Sequence, residues 1–156
     1  MRLKTNTLTG SKRVAGFTLV EVLIALIIMS VGMLGIAGLY VHSMQAGRTS
    51  LFRHHAVTLA GDIADRIRAN PRAGAAYMAA GANSNCVDGG INCTPAAMAA
   101  NDAFLWGLQA ADTLPTGTVV ITFDNGPIPP TYVILVQWNE PEGARSYSIT
   151  IPVFPI

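Results

Sequence analysis

The apolar positions of the chain follow three successive patterns. From Val22 to Val41, twenty consecutive residues carry no formal charge. A helix of that length rises about 30 Å, the hydrocarbon thickness of a bilayer. Beyond Tyr40 the pattern turns amphipathic: Leu51 or Phe52, Ala56, Leu59, Ile63 and Ile67 recur at three- to four-residue steps, as on a helix with one buried face. Arg48, Arg53, Asp62, Asp65, Arg66 and Arg68 supply polar neighbours, and Asp62–Arg66 is an i,i+4 pair in the favourable acid-first order. Asn70-Pro71 ends the pattern, because a residue before proline avoids the helical region. The prediction is one helix from Phe17 to Asn70, about 81 Å long if continuous. Gly32, Gly35 and Gly38 each cost about 1 kcal/mol in a helix interior. They leave two readings open, close packing against neighbours or a stretch that unwinds.

The third pattern is mixed. Residues 71–93, rich in Gly, Ala, Asn and Ser, read as a loop region with a turn at Asp88-Gly89-Gly90. Thr94-Pro95 reads as the N-cap and first residue of a second helix, running through Met98, Phe104, Leu105, Trp106 and Leu108 to about Ala111. Leu114-Pro115 closes it. Three strands follow at 118–124, 131–138 and 145–151, separated by the turn-rich "NGPIPP" and "NEPEGA". Such short connections predict an antiparallel meander. Its apolar face needs a cover, which the amphipathic half of the first helix supplies. The predicted fold class is α+β: a long N-terminal helix packed against a small C-terminal antiparallel sheet. Tyr132, Trp138 and Tyr147 read as core or sheet-face residues rather than a binding patch.

Charge sharpens the division. The first sixteen residues hold Arg2, Lys4, Lys12 and Arg13 and no acid; residues 17–156 hold six arginines, nine acids and no lysine, a net of −3. Basic residues before an apolar span predict a cytoplasmic N-terminus and an exported remainder. A cleaved secretory signal fits poorly, because the run is long and "GLYVHSMQ" lacks a small-x-small site. A plain signal anchor survives this test.

The stretch "GFTLVEVLIALIIM" resembles the class III leader junction of type IV pilins and pseudopilins, residue by residue over about fourteen positions. The resemblance implies cleavage by a prepilin peptidase between Gly16 and Phe17 and N-methylation of Phe17. It also implies that Phe17 and Glu21 serve subunit assembly. Physics supplies a reason for the acid: a carboxylate drawn into a dry helical bundle is costly unless paired, and cleavage creates an amine at Phe17. Glu21 also complements the macrodipole in the first helical turn. A finer resemblance, in "SVGMLGIAGL" and "HAVTLAGDIADRIRANP", is to minor pilins of the PilV type. The implied organisation is a leader at 1–16, an assembly half-helix at 17–41, an amphipathic half at 42–70 and a periplasmic head at 71–156. Implied partners are the peptidase, other minor and major pilins, and the inner-membrane assembly platform. The implied location is a single-pass inner-membrane protein that enters a surface pilus, contributing to its assembly or initiation and to pilus-dependent adhesion or twitching. A pseudopilin of a type II secretion system shares the leader and helix and remains the main alternative.

Two cysteines on the exported side, Cys86 and Cys93, favour a disulfide. Ligands at finger spacing for zinc are lacking, and no metal or cofactor is expected. There is no HExxH, P-loop, GxSxG or CxxC pattern, and adjacent His54 and His55 point about 100° apart on a helix. No catalytic residue is assigned. From Pro71 onward two arginines face six acids, which argues against nucleic acid as a partner.

Overall fold

A computed structural model describes residues 16–87 and 92–154. The chain forms two compact units, one ending at Met44 and the other beginning at Gln45. The leader through Ala15 and the Asp88-Gly89-Gly90 turn lie outside the described residues.

Helix α1 spans Leu19–Ala69. No proline interrupts it, and the helix is unbroken through Gly32, Gly35 and Gly38. In the second unit, Ala56, Leu59, Ala60, Ile63, Ala64 and Ile67 form one buried stripe. Phe52 packs against that stripe, while Leu51 is exposed.

The loop reading of 71–93 needs correction. Its first eight residues, Pro71–Met78, form a short 3-10 helix broken by a kink at Gly74, where the backbone leaves helical geometry. Proline suits its start because it lacks the N–H that would go unpaired there. Gly74 turns the chain at φ +51°, and its carbonyl accepts a 2.8 Å hydrogen bond from the Tyr132 hydroxyl. Tyr77 is buried and stacks on Trp106 with ring centroids 5.6 Å apart. Small residues without periodicity gave no sign of an element held by one aromatic anchor.

Helix α2, Pro95–Thr113, starts where the sequence predicts: the Thr94 hydroxyl accepts the Ala97 N–H at 3.2 Å. Strands β1 (Thr118–Asp124), β2 (Thr131–Glu140) and β3 (Gly143–Pro152) make an antiparallel sheet in the order β1-β2-β3. The second hairpin is tighter than predicted. Asn139 pairs with Ala144 and Glu140 with Gly143, so only Pro141 and Glu142 turn. The inward face of β2 carries Tyr132, Ile134, Val136 and Trp138 into the same core as the α1 stripe and Trp106. This is the α+β arrangement read from the sequence.

Candidate functional site

Gly16 and Phe17 precede α1 in non-helical backbone, and Phe17 is 83% exposed. The helical ladder opens with the Val22 N–H donating to the Thr18 carbonyl at 3.2 Å. The Thr18 hydroxyl accepts the Glu21 N–H at 3.3 Å. Glu21 therefore sits in the first turn, where its charge is favourable. Its side chain and the Phe17 ring line one surface cleft with Val22 and Ala25. Among the described residues, the Glu21 carboxylate has neither a hydrogen-bond nor an ion-pair partner.

Every described residue from 16 to 44 is exposed, including Leu23, Ile27, Ile28, Leu34, Ile36 and Leu39. This segment is long and apolar enough to cross a membrane. Within the uncharged run, Ser30 is neutralised locally by donating to the Ile27 carbonyl at 2.8 Å. Exposed apolar surface on this scale marks an interaction site with lipid or protein.

The head is held differently. Arg66 pairs with Asp62 at 3.4 Å and reaches Asp102 on α2 at 3.1 Å. Asn70 donates to the Pro95 carbonyl and to the Tyr77 hydroxyl. Arg68 pairs with Asp65. The segment "ADRIRAN" is thus a polar brace joining α1, α2 and the 3-10 helix, on the flank of the Ile63–Ile67 stripe. Burial raises the Asp102 carboxyl above its ordinary value, against the pull of Arg66. Burial likewise pushes the Tyr77 hydroxyl up to about 12. Neighbouring Asn101 accepts the Ser84 and Cys86 N–H groups. Cys86 and Cys93 are joined in a disulfide with Cα atoms 5.8 Å apart.

Near the start of the head, Glu140 accepts from the Trp138 indole at 2.8 Å and from the Thr49 hydroxyl at 2.7 Å. Those two bonds, led by Trp138, lower its carboxyl below its ordinary value. Sequence reasoning missed Thr18, Asn101, Asp102 and Glu140 in these roles. Only Thr18 carried a local signal, a hydroxyl three residues before an acid at a helix start. His54 and His55 lie side by side with ring centroids 6.3 Å apart and belong to no metal-holding group among the described residues.

The apolar half of α1 is left exposed, whereas the α+β head closes its own core. A family model for the prokaryotic N-terminal methylation motif matches residues 11–37. A second, Tt1218-like, described as type IV pilin Tt1218, matches residues 38–104. The chain is a type IV pilin-like protein with a class III prepilin leader. That family is structural rather than enzymatic. The leader motif implies processing by prepilin peptidase and assembly with other pilins, and the apolar helix fits membrane anchoring. Comparison with curated proteins and with solved structures returned no match.

Proposed function

We propose that this chain is a minor pilin of the PilV type. Prepilin peptidase cuts it between Gly16 and Phe17 on the cytoplasmic side of the inner membrane and methylates the new amine of Phe17. The head faces the periplasm. The assembly platform then draws the subunit into a pilus through residues 17–41, where the Phe17 amine of one subunit meets the Glu21 carboxylate of another. Its contribution is to pilus assembly or initiation, and through the pilus to adhesion or twitching.

One observation carries the reading. Residues 16–44 bury nothing, yet hold a single acid beside the position of the new amine. Gly16 supports it: a Cβ added there would meet nothing within 4 Å, so this chain's own packing does not require glycine at the junction. The type IV pilin match over 38–104 favours a pilus over a secretion pseudopilin.

The test is the N-terminal residue of the protein recovered from sheared filaments. Methylated Phe17 is expected. A chain starting at Met1, or lacking residues 17–41, refutes the reading. Glu21→Gln should lower incorporation into filaments at least tenfold while the head unfolds as in the parent. A buried amine left without its counter-charge costs enough for such a loss.

A further inference from the structure

The residues around the junction form a helix-start signature. Relative to Thr18 as N-cap, Glu21 is the third helical residue, Val22 the fourth, and Phe17 the residue just before the cap. This is a capping box, Thr-x-x-Glu, together with the two positions of a hydrophobic staple. Phe17 lines the same cleft as Val22, with both side chains exposed.

The box is half closed. Thr18 accepts the Glu21 N–H, but among the described residues Glu21 does not return the bond to the Thr18 N–H. The carboxylate stays free, while the backbone before the cap stays out of the helix. The ladder's first acceptor is the Thr18 carbonyl, so the Gly16–Phe17 peptide bond lies outside the helical hydrogen-bonding.

That boundary has a chemical consequence. Susceptibility to cleavage depends on whether the affected backbone is exposed and free of hydrogen bonds. An established helix tends to extend at its ends, because each added residue gains a hydrogen bond without a new nucleation cost. Without a stop signal, the helix gains by winding back over Phe17 and Gly16. Glycine at 16 opposes this through its poor helix propensity. Thr18 opposes it by supplying the first turn with an acceptor that only a non-helical N-cap residue can place.

We propose that Thr18 is a positioning residue for leader processing: its cap fixes the start of α1 at Leu19 and holds the Gly16–Phe17 bond in non-helical, accessible backbone. The inference rests on the reading that the chain is cut at this bond. It adds a residue that acts through backbone conformation rather than by contact with the peptidase.

The experiment follows cleavage of the full-length chain over time in membranes containing prepilin peptidase. Thr18→Val keeps shape and branching but loses the acceptor, and its cleavage should be about fivefold slower, the size of a lost cap. Thr18→Ser and Thr18→Asn keep an acceptor and should be cut at the parental rate. In micelles, Thr18→Val should show amide protection extending back to Phe17, while membrane insertion is unchanged. Parental cleavage of Thr18→Val, or equal slowing of Thr18→Ser, overturns the proposal. If either occurs while the parent is cut normally and Gly16→Val is not, the reading of the junction stands without it. A parent chain that never loses its leader sinks both.

Discussion

In residues 16–44 every described side chain is exposed, whereas residues 45–154 close a core around Ile63, Trp106 and Tyr132. Both units take part of α1, so helix formation does not separate them. The difference is where each apolar surface finds its partner. The head supplies its own from the sheet, α2 and the 3-10 helix. The anchor has none among the described residues, and its surface requires lipid or protein around it.

The glycines make the contrast concrete. A Cβ added at Gly32, Gly35 or Gly38 would meet nothing within 4 Å. One at Gly81 would collide with the Phe104 backbone, and one at Gly117 with the Ala110 carbonyl. At Gly81 and Gly117 glycine is demanded by the fold, although a Cβ at Gly61 or Gly107 would meet nothing within 4 Å. In the anchor, any demand for it comes from outside.

The comparison breaks most severely at the head's aromatic centre. Trp106→Ala removes the ring stacked on Tyr77 and should destabilise the head by roughly 3–5 kcal/mol. Near-ultraviolet circular dichroism should show the loss, while flotation with vesicles shows the anchor still inserted. The glycine contrast is tested by a matched pair. Gly117→Ala should cost the head roughly 1–3 kcal/mol through overpacking, and Gly35→Ala should leave head unfolding unchanged. If both variants melt alike, the two units are not independent in the way described.

The smallest effect concerns Glu140. Its folded value lies below the ordinary 4.5, so it contributes stability above 4.5 that is lost as pH falls through the folded value. Glu140→Gln should cost about 1 kcal/mol at neutral pH and remove that acid-side loss. Asp102 has the opposite sign. Its value is raised above 3.8, so it stabilises the head most below 3.8, and that contribution fades as pH rises through its folded value. In Glu140→Gln the acid side of the stability curve should therefore flatten or reverse, as chemical denaturation at several pH values would show.

Much of the head was legible locally. The Thr94-Pro95 helix start, the β1 boundaries and the Ala56–Ile67 stripe follow from capping chemistry and apolar periodicity. The 3-10 helix was not, because its one fully buried residue, Tyr77, stacks on Trp106 29 positions later, and Gly74 is held by the more distant Tyr132. The polar brace was half legible. Asp62 and Arg66 are helix neighbours by spacing, but the bond to Asp102 depends on α2 docking beside α1. Glu140 read as a turn residue until its bond to Thr49, 91 positions earlier, placed it at the edge of the core.

By itself the sequence determined the anchor. Twenty uncharged residues, a basic leader and one acid behind Gly16-Phe17 describe a helix whose partners lie outside the chain, and spacing along one helix is a local property. Tertiary structure decided which polar groups of the head are buried and paired. Asn101, Asp102 and Glu140 have no apolar spacing to mark them, and each has its place only because distant backbone and side chains converge on it.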